Sequence, residues 1–532
     1  MLSLPKGHVP REWWEYLMSA VGVWKIAAAD PERIAVVAVD GTSTSYKKIA
    51  IHSNQLAQGL RALGLERGDR VAVVMRNAPE LVTIILAAQQ IGIYVVPINF
   101  HSTADDIAFI VKNSGARAVF IDAAFTRACR EALDNIEFPK NARFCTRESA
   151  EFKTLSDWRR HFSRGRPDNT AAGSVMFYTS GTTGRPKGVL RPLPSGDGDE
   201  GAAQQIWILQ VFGIEVGDGA HLVNSPMYHT AVFSLGMAAL HCGQALIMMD
   251  EWEPELALQL IDRHRITSTH MVATHFHRLL SLSDEVKAKF DTKSLTYALH
   301  GAVPTPVDIK QRMMDWWGPI IYEYYGSSEV GGTLVTPEQW LAKPGTVGLP
   351  FSITRLEILD DDGNSVPNGE PGWIYMRQGD EDFQYHNDPD KTANVSRGDL
   401  VCVGDIGYLD KDGYLFLCGR DAEIIISGGV NIYPAAVEGH LLGHEAVHDV
   451  AVVGVPDDEF GEQVKAVVVT KPGYSVGVEL EKQLIQHCRD ELSHITCPRS
   501  VDFVNDLPRD PSGKMYKQRV RDQYWQGSTK RI

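Results

Sequence analysis

The feature that most constrains this chain is a glycine- and hydroxyl-rich stretch at residues 178–189, which follows a short apolar run at 175–177. The run predicts a buried strand, and the stretch after it has the residue types that surround an anion. Glycines let the backbone approach a ligand closely, hydroxyl groups can contact phosphate oxygens, and Lys187 adds a positive charge. The glycines are Gly181, Gly184 and Gly188, and the hydroxyl-bearing residues are Thr179, Ser180, Thr182 and Thr183. The stretch therefore predicts a phosphate-binding loop.

The spacing within this loop separates it from the common nucleotide loop. A Walker A loop has four residues between its glycines and then Gly-Lys-Ser/Thr. Here two residues separate Gly181 from Gly184, and glycine follows Lys187. A surface turn rich in glycine and threonine is the structural alternative, but twelve residues in this order favour function. The stretch resembles the signature loop of the adenylate-forming superfamily, which contains acyl-CoA synthetases, firefly-type luciferases and the adenylation domains of peptide synthetases.

The composition is that of a globular protein with at least two domains. Its 532 residues are 44% hydrophobic and 22% charged, which is enough apolar material for large buried cores. The net charge of -15 argues against nucleic acid as a partner. It also means that a polyanionic substrate such as ATP or coenzyme A must be met by local positive charge.

Cysteine usage and hydropathy indicate a cytoplasmic protein without a transmembrane segment. The seven cysteines contain no C-x-x-C pair, so we expect reduced thiols, no disulfide and no structural metal. Residues 12–16 mix acidic and aromatic side chains, which argues against a signal peptide. The most apolar stretch, 81–98, contains Gln89 and Gln90. A buried helix followed by a buried strand explains it better than a membrane span.

The first 419 residues show two kinds of sequence pattern, which predict an α/β domain with a smaller β-rich part. Short β-branched runs between 33 and 324 alternate with stretches of helical period, which predicts parallel sheets with helices on both faces. The runs are 34–39, 71–75, 95–98, 118–121 and 245–248, and the helical stretches include 49–63 and 254–264. After Gly345, Asp-Gly and Asn-Gly turns predict an antiparallel subdomain, or small β-barrel-like unit. The acidic, glycine-rich stretch 194–201 lacks an apolar period and predicts a mobile loop.

The remaining residues, 420–532, predict a small α+β domain. Its expected elements are a helix at 434–442, strands at 448–455 and 464–469, a helix at 479–492 and a strand at 500–504. The boundary between domains 1–419 and 420–532 follows from the resemblance, since no proline- or serine-rich linker marks it. The resemblance implies that the C-terminal domain is mobile and covers the site as a lid. It also leaves a homodimer open as the assembly.

A second motif, at residues 324–329, resembles the superfamily segment that binds adenine and magnesium. The resemblance implies that Tyr325 and Gly326 border the adenine, that Ser328 binds the α-phosphate, and that Glu329 holds Mg2+ together with Thr182. One carboxylate beside phosphate oxygens suits a hard cation with few protein ligands. A turn that caps a helix is the structural alternative for such a run.

Two further motifs resemble superfamily segments nearer the C-terminus. The resemblance implies that Asp405 accepts hydrogen bonds from both ribose hydroxyls and that Arg420 contacts ribose and phosphate. It also implies that Lys514, in a Ser-Gly-Lys sequence, reaches the active site and bridges the carboxylate and the α-phosphate. Two anions must meet in that reaction, so a positioned cation is chemically required. A solvated lysine in a basic tail is the alternative for Lys514.

Weaker signals concern the acyl group, the thiol and the domain junction. The segment 224–229 resembles the one whose histidine, here His229, lies where the acyl pocket meets the pantetheine tunnel, although a satisfied core histidine is the alternative. The loop with Gly428 and Gly429 resembles the loop that passes under pantetheine, where absent side chains leave room. The family's pivot residue is usually Asp or Lys two positions after the arginine, and here that position is Ala422.

Together these motifs predict an ATP-dependent carboxylic acid:coenzyme A ligase with Mg2+, coenzyme A and a small-molecule acid as its partners. Catalysis is assigned to Lys514, His229, Ser328 and Glu329. Three alternatives remain. A peptide-synthetase adenylation domain would normally carry an aspartate for the substrate amine, and residues 230–234 contain none. A luciferase has the same motifs, whereas a non-catalytic acyl-adenylate sensor should lose Lys514 or Glu329.

The identity of the acid depends on the pocket that the resemblance places among Tyr228, His229, Phe233 and the strand end at 299–302. Gly301 and Ala302 of that strand end are assigned to the ligand site. These residues predict a roomy apolar pocket for a fatty or other bulky hydrophobic acid. His300 stands where several relatives have glycine, which also allows a narrower channel for a medium-length or ring-containing acid.

Overall fold

The computed structural model of the protein describes residues 21–179, 185–302, 305–379, 382–457, 459–509 and 515–526. Five residues of the predicted phosphate loop lie outside this range, namely Ser180, Gly181, Thr182, Thr183 and Gly184. The predicted catalytic Lys514 lies outside it as well. The residues that flank both segments are described.

Strands and α-helices are numbered separately in chain order. The strands are β1 Ile34–Val37, β2 Ser43–Ser45, β3 Arg70–Val74, β4 Tyr94–Pro97, β5 Ala118–Ile121, β6 Arg143–Cys145, β7 Lys153–Thr154, β8 Ser174–Val175, β9 Phe177–Thr179, β10 Lys187–Leu190, β11 Ala220–Val223, β12 Ala245–Met248, β13 Ser268–Met271, β14 Tyr297–His300, β15 Ile321–Gly326, β16 Gly332–Val335, β17 Leu349–Pro350, β18 Thr354–Leu359, β19 Gly372–Gln378, β20 Gln384–Tyr385, β21 Ser396–Arg397, β22 Leu400–Val401, β23 Asp405–Leu409, β24 Leu415–Arg420, β25 Ile425–Ser427, β26 Val430–Ile432, β27 Val447–Asp457, β28 Gly461–Thr470 and β29 Ser500–Phe503. The helices are α1 Val23–Ala29, α2 Tyr46–Ala62, α3 Pro79–Gln89, α4 Ala104–Ser114, α5 Thr126–Asn135, α6 Leu155–Arg159, α7 Gly198–Gln205, α8 Trp207–Val211, α9 Thr230–His241, α10 Pro254–His264, α11 Ala273–Leu280, α12 Asp284–Lys287, α13 Val307–Trp317, α14 Pro337–Ala342, α15 Pro389–Val395, α16 Pro434–Leu442, α17 Val478–Glu491 and α18 Lys517–Asp522.

Two sheets with parallel centres form the large N-terminal part, as the alternating pattern predicts. One sheet has nine strands in the order β17-β16-β15-β14-β13-β11-β12-β1-β2, with antiparallel pairs only at its ends. The other has six parallel strands in the order β7-β6-β5-β3-β4-β8. The largest apolar core includes side chains from both sheets and from helices α2, α3 and α9. The strand predicted at 175–177 is divided between two strands, because β8 joins the six-stranded sheet and β9 pairs with β10.

The apolar stretch 81–98 forms the predicted helix and strand. Helix α3 is buried along most of its length, and β4 is buried at all four positions. Among the helices that the structure describes, none combines the length and the hydropathy that a membrane crossing requires.

The β-rich part after Gly345 is antiparallel, as its turn residues predict. Strands β21, β22, β19, β23 and β24 form one sheet in that order, and β18 pairs with β19. A separate small core lies within this sheet, with Ile374, Met376 and Leu415 among its most buried members. Asp405 is the first residue of β23 and Arg420 is the last residue of β24. The two residues are paired directly opposite each other, at the open end of this hairpin.

The C-terminal part is the small α+β unit that the sequence predicts, with every expected element within two or three residues of its predicted bounds. Strands β26, β25, β28 and β27 form its sheet, and β29 pairs in parallel with β28. Helices α16 and α17 pack with this sheet around a core that contains Leu441, Val452 and Leu484. A 3-10 turn, Asp421–Glu423, joins β24 to β25 and thus connects the two parts of the chain.

The prediction of a mobile loop at 194–201 is wrong, because helix α7 begins within that stretch. The Asp197 carboxylate accepts hydrogen bonds from the backbone N–H groups of Asp199 and Glu200 at 2.9 and 3.0 Å, while the Glu200 carboxylate accepts one from Asp197 N at 2.9 Å. This reciprocal capping satisfies donors that a helix start otherwise leaves free. The buried face consists of small residues, including Ala202 and Ala203, so it gives no apolar period in the sequence.

Three ionisable side chains meet in the interior beneath the nine-stranded sheet. Lys310 Nζ lies 2.7 Å from Glu323 Oε2, and His300 Nε2 lies 3.3 Å from the same oxygen. The neighbouring strands β14 and β15 place His300 directly opposite Glu323. Burial alone would raise the pKa of Glu323, but His300 and Lys310 outweigh burial and lower the pKa to about 2. Glu323 is therefore a buried carboxylate that depends on its cationic neighbour.

We expect Glu323→Gln to lower the free energy of unfolding by about 3–5 kcal/mol at pH 7, because removing one partner leaves Lys310 buried without its counter-charge. The folded-state pKa of Glu323 is lowered to about 2, so its contribution is present above the unfolded-state pKa of about 4.3 and is lost as pH falls through about 2. Urea denaturation at pH 7 and pH 3 measures this. The exposed Glu338→Gln is the matched control, and a pH-independent deficit would contradict the assignment.

Candidate active site

A hydrogen-bonded cluster of Tyr325, Asp405 and Arg420 joins the second and third sequence motifs. The Tyr325 hydroxyl donates to Asp405 Oδ2 at 2.7 Å, and Arg420 Nε donates to Asp405 Oδ1 at 2.6 Å. Burial, followed by the adjacent Asp405 carboxylate, raises the pKa of Tyr325 well above its ordinary value. Each carboxylate oxygen has two lone pairs, so Asp405 can accept further hydrogen bonds from a ligand.

Ser328 and Glu329 form hydrogen bonds with residues from distant parts of the chain. Ser328 Oγ lies 2.8 Å from Thr230 Oγ1, and the Tyr385 hydroxyl donates to Glu329 Oε1 at 3.1 Å. Tyr385 is buried, and its burial and the Glu329 carboxylate both raise the pKa of its hydroxyl. The hydroxyl therefore stays protonated near neutral pH and holds the carboxylate in place.

The two ends of the predicted phosphate loop are held together by strand pairing. Thr179 on β9 is directly opposite Lys187 on β10. The ammonium group of Lys187 lies 4.9 Å from the centre of the Tyr385 ring, which is a cation–π distance. Because Tyr385 also bonds Glu329, the lysine after the loop lies close to the predicted magnesium ligand.

Taken together, these contacts connect three of the four strongest motifs into one site. One set of contacts runs from Lys187 through Tyr385 to Glu329, and a second runs from Tyr325 through Asp405 to Arg420. The segment 325–329 carries residues of both sets. A cleft beside Glu329 also includes the cations Arg191 and Arg377 in its lining. The same lining contains the carboxylates Asp382 and Asp399, which both pair with Arg377, so cations and carboxylates alternate in this cleft.

Oxygen donors dominate the surroundings of Glu329, and they fit magnesium. The carboxylate accepts a hydrogen bond from the Tyr385 hydroxyl, and Ser328, the preceding residue, shares one with the Thr230 hydroxyl. Mg2+ prefers oxygen ligands, often one or two carboxylates together with substrate phosphates and water. Within the part of the chain that the structure describes, no group of three or more His, Cys, Asp or Glu side chains could hold a metal by itself. Glu329 thus fits a cation that arrives with a nucleotide.

His229 lies on the other side of Thr230, at the start of α9. Its ring is 4.3 Å from that of Tyr228, which in turn meets Phe100 edge-on at 5.3 Å. The shared hydrogen bond of Thr230 and Ser328 brings the start of α9 beside the second motif. His229 therefore lies at the edge of the cluster rather than in a remote part of the core.

The residues at the strand end 299–302 have different surroundings, and each contributes differently to the structure. A Cβ on Gly301 would lie 2.7 Å from the Tyr324 ring and carbonyl, so the absence of a side chain permits close packing there. Ala302 has a positive φ of 68°, which is uncommon for a residue other than glycine. The prediction that His300 narrows the acyl channel is wrong. Its side chain packs against Phe276 and Glu323 on the face of β14 opposite Leu299.

An aromatic and imidazole wall lies on the Leu299 face of the same sheet. His270 Nε2 lies 2.9 Å from the Tyr324 hydroxyl, and Tyr324 meets Phe212 at 6.2 Å. Burial, with smaller effects from His221, His300 and His229, lowers the pKa of His270 to about 3. Phe233 of α9 meets Phe177 edge-on at 5.4 Å. This face is therefore aromatic and uncharged near neutral pH.

The fourth motif and the pantetheine-type loop belong to the C-terminal unit. Arg509 and Met515 form a β-bridge that closes the segment containing Lys514, and Tyr516 N donates to Pro508 O at 2.8 Å. Gly428 and Gly429 form the two-residue turn between β25 and β26, with φ values of 58° and 81°. Such a hairpin turn requires positive φ at both positions, which glycine adopts without strain.

Several partners in this site are not identifiable from local sequence. Tyr385 is 56 residues from Glu329 and lies in a short strand without a motif. Thr230 immediately follows the histidine of the 224–229 segment, and that adjacency is the one available signal for it. The structure adds both residues to the site through hydroxyl contacts.

Comparison with known proteins identifies the family. The AMP-binding enzyme family model matches residues 23–380, and the AMP-binding enzyme C-terminal domain matches residues 436–514. The 2-succinylbenzoate–CoA ligase of Geobacillus sp. is 31% identical over 498 residues, which cover 92% of this chain and 94% of the relative. The fatty acid–[acyl-carrier-protein] ligase ScoC of Streptomyces coeruleorubidus is 29% identical over 517 residues, with 95% and 96% coverage.

Among solved structures, ATP-bound MatB from Rhodopseudomonas palustris superposes with a TM-score of 0.78 at 26% identity, covering 93% of this chain and 96% of its own. Agreement over nearly the whole length includes both the large α/β part and the small C-terminal unit. The chain therefore belongs to the AMP-binding enzymes, the adenylate-forming superfamily that contains the acyl-CoA ligases.

Proposed function

We propose that the protein joins a hydrophobic carboxylic acid to coenzyme A in two steps, with an acyl-adenylate as the intermediate and AMP and pyrophosphate as products. The observation that supports this most strongly is that the segment 325–329 carries both Glu329, which connects through Tyr385 to Lys187, and Tyr325, which connects through Asp405 to Arg420. These residues supply the cation, the metal ligand, the aromatic ring and the ribose acceptor that one nucleotide needs. Reduced cysteines and metabolite substrates fit a cytoplasmic enzyme.

In the first step, an oxygen of the acid's carboxylate attacks the α-phosphorus of ATP, and the bond to the pyrophosphate breaks. Asp405 and Arg420 hold the ribose, Tyr325 stacks on the adenine, and Ser328 donates to the α-phosphate. Glu329, with Thr182, would hold Mg2+, which when bound would supply positive charge to the phosphate oxygens. We assign Lys514 as the cation that meets both reacting anions and stabilises the charge that develops in the transition state.

In the second step, the coenzyme A thiolate attacks the acyl carbonyl, and the bond to AMP breaks. The thiol proton leaves to solvent before the attack. We assign His229 to the meeting point of acyl group and thiol, and Gly428 and Gly429 to the path of the pantetheine chain. The C-terminal domain must present Lys514 in one step and this glycine turn in the other, so the domain 420–532 rotates between them.

The acid that this site favours is bulky and hydrophobic. The wall that contains His270, Tyr324, Phe212 and Phe233 is aromatic, and the named relatives act on a succinylbenzoate and on fatty acids. An uncharged wall disfavours short, highly polar acids, because they would lose hydration without compensation. We infer a fatty or ring-containing acid as the substrate class.

The two named relatives differ in the acceptor of the acyl group. One is a coenzyme A ligase and the other transfers to an acyl carrier protein. The turn with Gly428 and Gly429 favours coenzyme A, since it places no side chain at its tip. Both glycines are followed by the exposed Val430 on the same hairpin.

A substrate screen tests the proposal. Pyrophosphate release is measured with ATP and Mg2+ for saturated acids of graded chain length and for benzoate- and phenylpropanoate-type acids, and products are then identified with coenzyme A added. We expect release with the bulky acids and formation of their thioesters. Adenylates without thioesters would move the acceptor to a carrier protein, light emission would indicate a luciferase, and no pyrophosphate with any acid would indicate a non-catalytic binder.

We expect Asp405→Asn to raise the KM for ATP by about 10- to 100-fold, because one charged hydrogen bond contributes about 1.5–3 kcal/mol. The side chain is 8% exposed and keeps its shape after the substitution. Steady-state kinetics with varied ATP measure the change. The exposed Asp390→Asn is the matched control, and an unchanged KM with a lower kcat would contradict a role in ribose binding.

A further inference from the structure

The turn that joins the two domains is anchored on its N-terminal side to the nucleotide site. Arg420 Nε donates to Asp405 Oδ1 at 2.6 Å, and the backbone N–H of Asp421 donates to Gly404 O at 3.0 Å. Both acceptors belong to the antiparallel subdomain before residue 420. The chain is therefore held by the large domain up to the amide of Asp421.

On its C-terminal side the same turn is anchored to the small domain through one lysine. Lys517 Nζ lies 2.9 Å from Glu423 Oε2 and 2.9 Å from Glu438 Oε2. The side chains of Lys517 and Glu438 are only 16% and 14% exposed. Glu438 also accepts a hydrogen bond from Val452 N at 2.7 Å, so the cluster joins the turn to α16 and β27.

The ion pair between Lys517 and Glu438 is largely shielded from solvent, and such a pair is stronger than an exposed one because water screens it less. Burial by itself would lower the pKa of Lys517, but Glu438 and Glu423 outweigh burial and raise it. The lysine is thus charged near neutral pH and bridges two carboxylates that would otherwise repel each other. Only Ala422, whose methyl group is exposed, lies between the two anchored positions.

Lys517 also begins α18, directly after the segment that contains Lys514. The bridge between Arg509 and Met515 closes that segment, and Arg509 forms a two-point ion pair with Asp449 of β27 at 2.7 and 2.9 Å. The residue that holds the turn is therefore part of the structure that supports the predicted catalytic lysine.

We propose that Lys517 is a positioning residue that clamps Glu423 to the C-terminal domain and so confines the inter-domain rotation to the backbone of Asp421 and Ala422. This rests on the proposed two-step function, in which the C-terminal domain must turn. The clamp keeps Glu423 and everything after it rigid with the domain that carries Lys514. Without the clamp, residues 423 and 424 would share the rotation, and the orientation of the domain would be less defined.

A suppressor experiment tests the clamp. Ala422→Pro fixes φ near -65° at the proposed pivot, so we expect acyl-adenylate formation to persist and thioester formation to fall at least tenfold. Glu423→Ala releases the clamp while Lys517 keeps Glu438 as its partner. The double variant Ala422→Pro/Glu423→Ala should therefore regain at least tenfold in thioester formation, because the rotation moves to the neighbouring bonds. The matched double variant with the exposed Glu445→Ala should not.

The clamp is overturned if Ala422→Pro alone runs both steps at wild-type rates, or if the Glu423→Ala double variant is no faster than Ala422→Pro. A measurement that needs no turnover separates this from failure of the proposed function. Amide hydrogen exchange at Ile424 and Ile425 should become at least tenfold faster in Glu423→Ala but not in Glu445→Ala. Wild-type exchange in Glu423→Ala would overturn the clamp even if the protein ligated no acid.

Discussion

Replacing Lys514 by alanine should slow acyl-adenylate formation by about 100- to 1,000-fold, the effect expected when one positioned charge is removed from a transition state. Lys514 is the cation that we assign between the attacking carboxylate and the α-phosphate. Thioester formation from supplied acyl-adenylate should survive, because in that step the C-terminal domain presents the turn with Gly428 and Gly429 rather than Lys514. Pyrophosphate exchange measures the first step, and thioester formation from synthetic adenylate measures the second.

The separation of the two steps makes this prediction specific. The exposed Lys482→Ala, on α17, is the matched control for the loss of a charge from the same domain, and it should leave both rates unchanged. An equal loss in both half-reactions of Lys514→Ala would mean that the lysine supports the structure of the segment rather than the chemistry.

Glu329→Gln should reduce ATP-dependent turnover by about 100-fold, since the amide keeps the shape of the side chain and removes the charge that magnesium requires. The Tyr385 hydroxyl, which lies 3.1 Å from Glu329 Oε1, can still donate to the amide oxygen. The loss of turnover would therefore reflect weaker magnesium binding rather than a disrupted site structure. Raising the magnesium concentration should restore only part of the rate.

The magnesium dependence of the rate is the measurement that decides this assignment. Initial rates are determined over a range of Mg2+ concentrations at saturating ATP, with Glu338→Gln as an exposed control of the same chemistry. An unchanged half-saturating Mg2+ concentration in Glu329→Gln would contradict the role of this carboxylate as a metal ligand.

Local signals in the sequence predict the elements of this fold well where a cap and an apolar stripe coincide. Helix α10 is predicted to the residue, because Glu253 accepts from the first backbone N–H groups, Pro254 suits the first turn, and Leu258 and Ile261 face the core. Helix α7 has an equally good cap but buries only small residues. Its stripe is invisible to a hydropathy pattern, and the sequence therefore misses it.

The candidate site is predictable as a set of motifs but not as a set of contacts. Glu329, Asp405 and Arg420 can be identified from the sequence, because each lies at a fixed position within a short motif. Their connection through Tyr385 depends on a contact between residues 56 positions apart, and no local pattern encodes it. The side-chain direction of His300 similarly depends on the register between β14 and β15. A one-residue shift in register would reverse it.

Asp405 holds Arg420 at the end of the large domain and is also the proposed acceptor for the nucleotide ribose. The Asp405 carboxylate would thus have two partners, the nucleotide ribose and Arg420, which is the last residue before the turn. If these two interactions influence each other, thermodynamic reciprocity fixes the size of the effect in both directions. The factor by which domain orientation changes the affinity for AMP must equal the factor by which AMP shifts the balance of orientations. Release of the last product and return of the C-terminal domain would then be one coupled equilibrium.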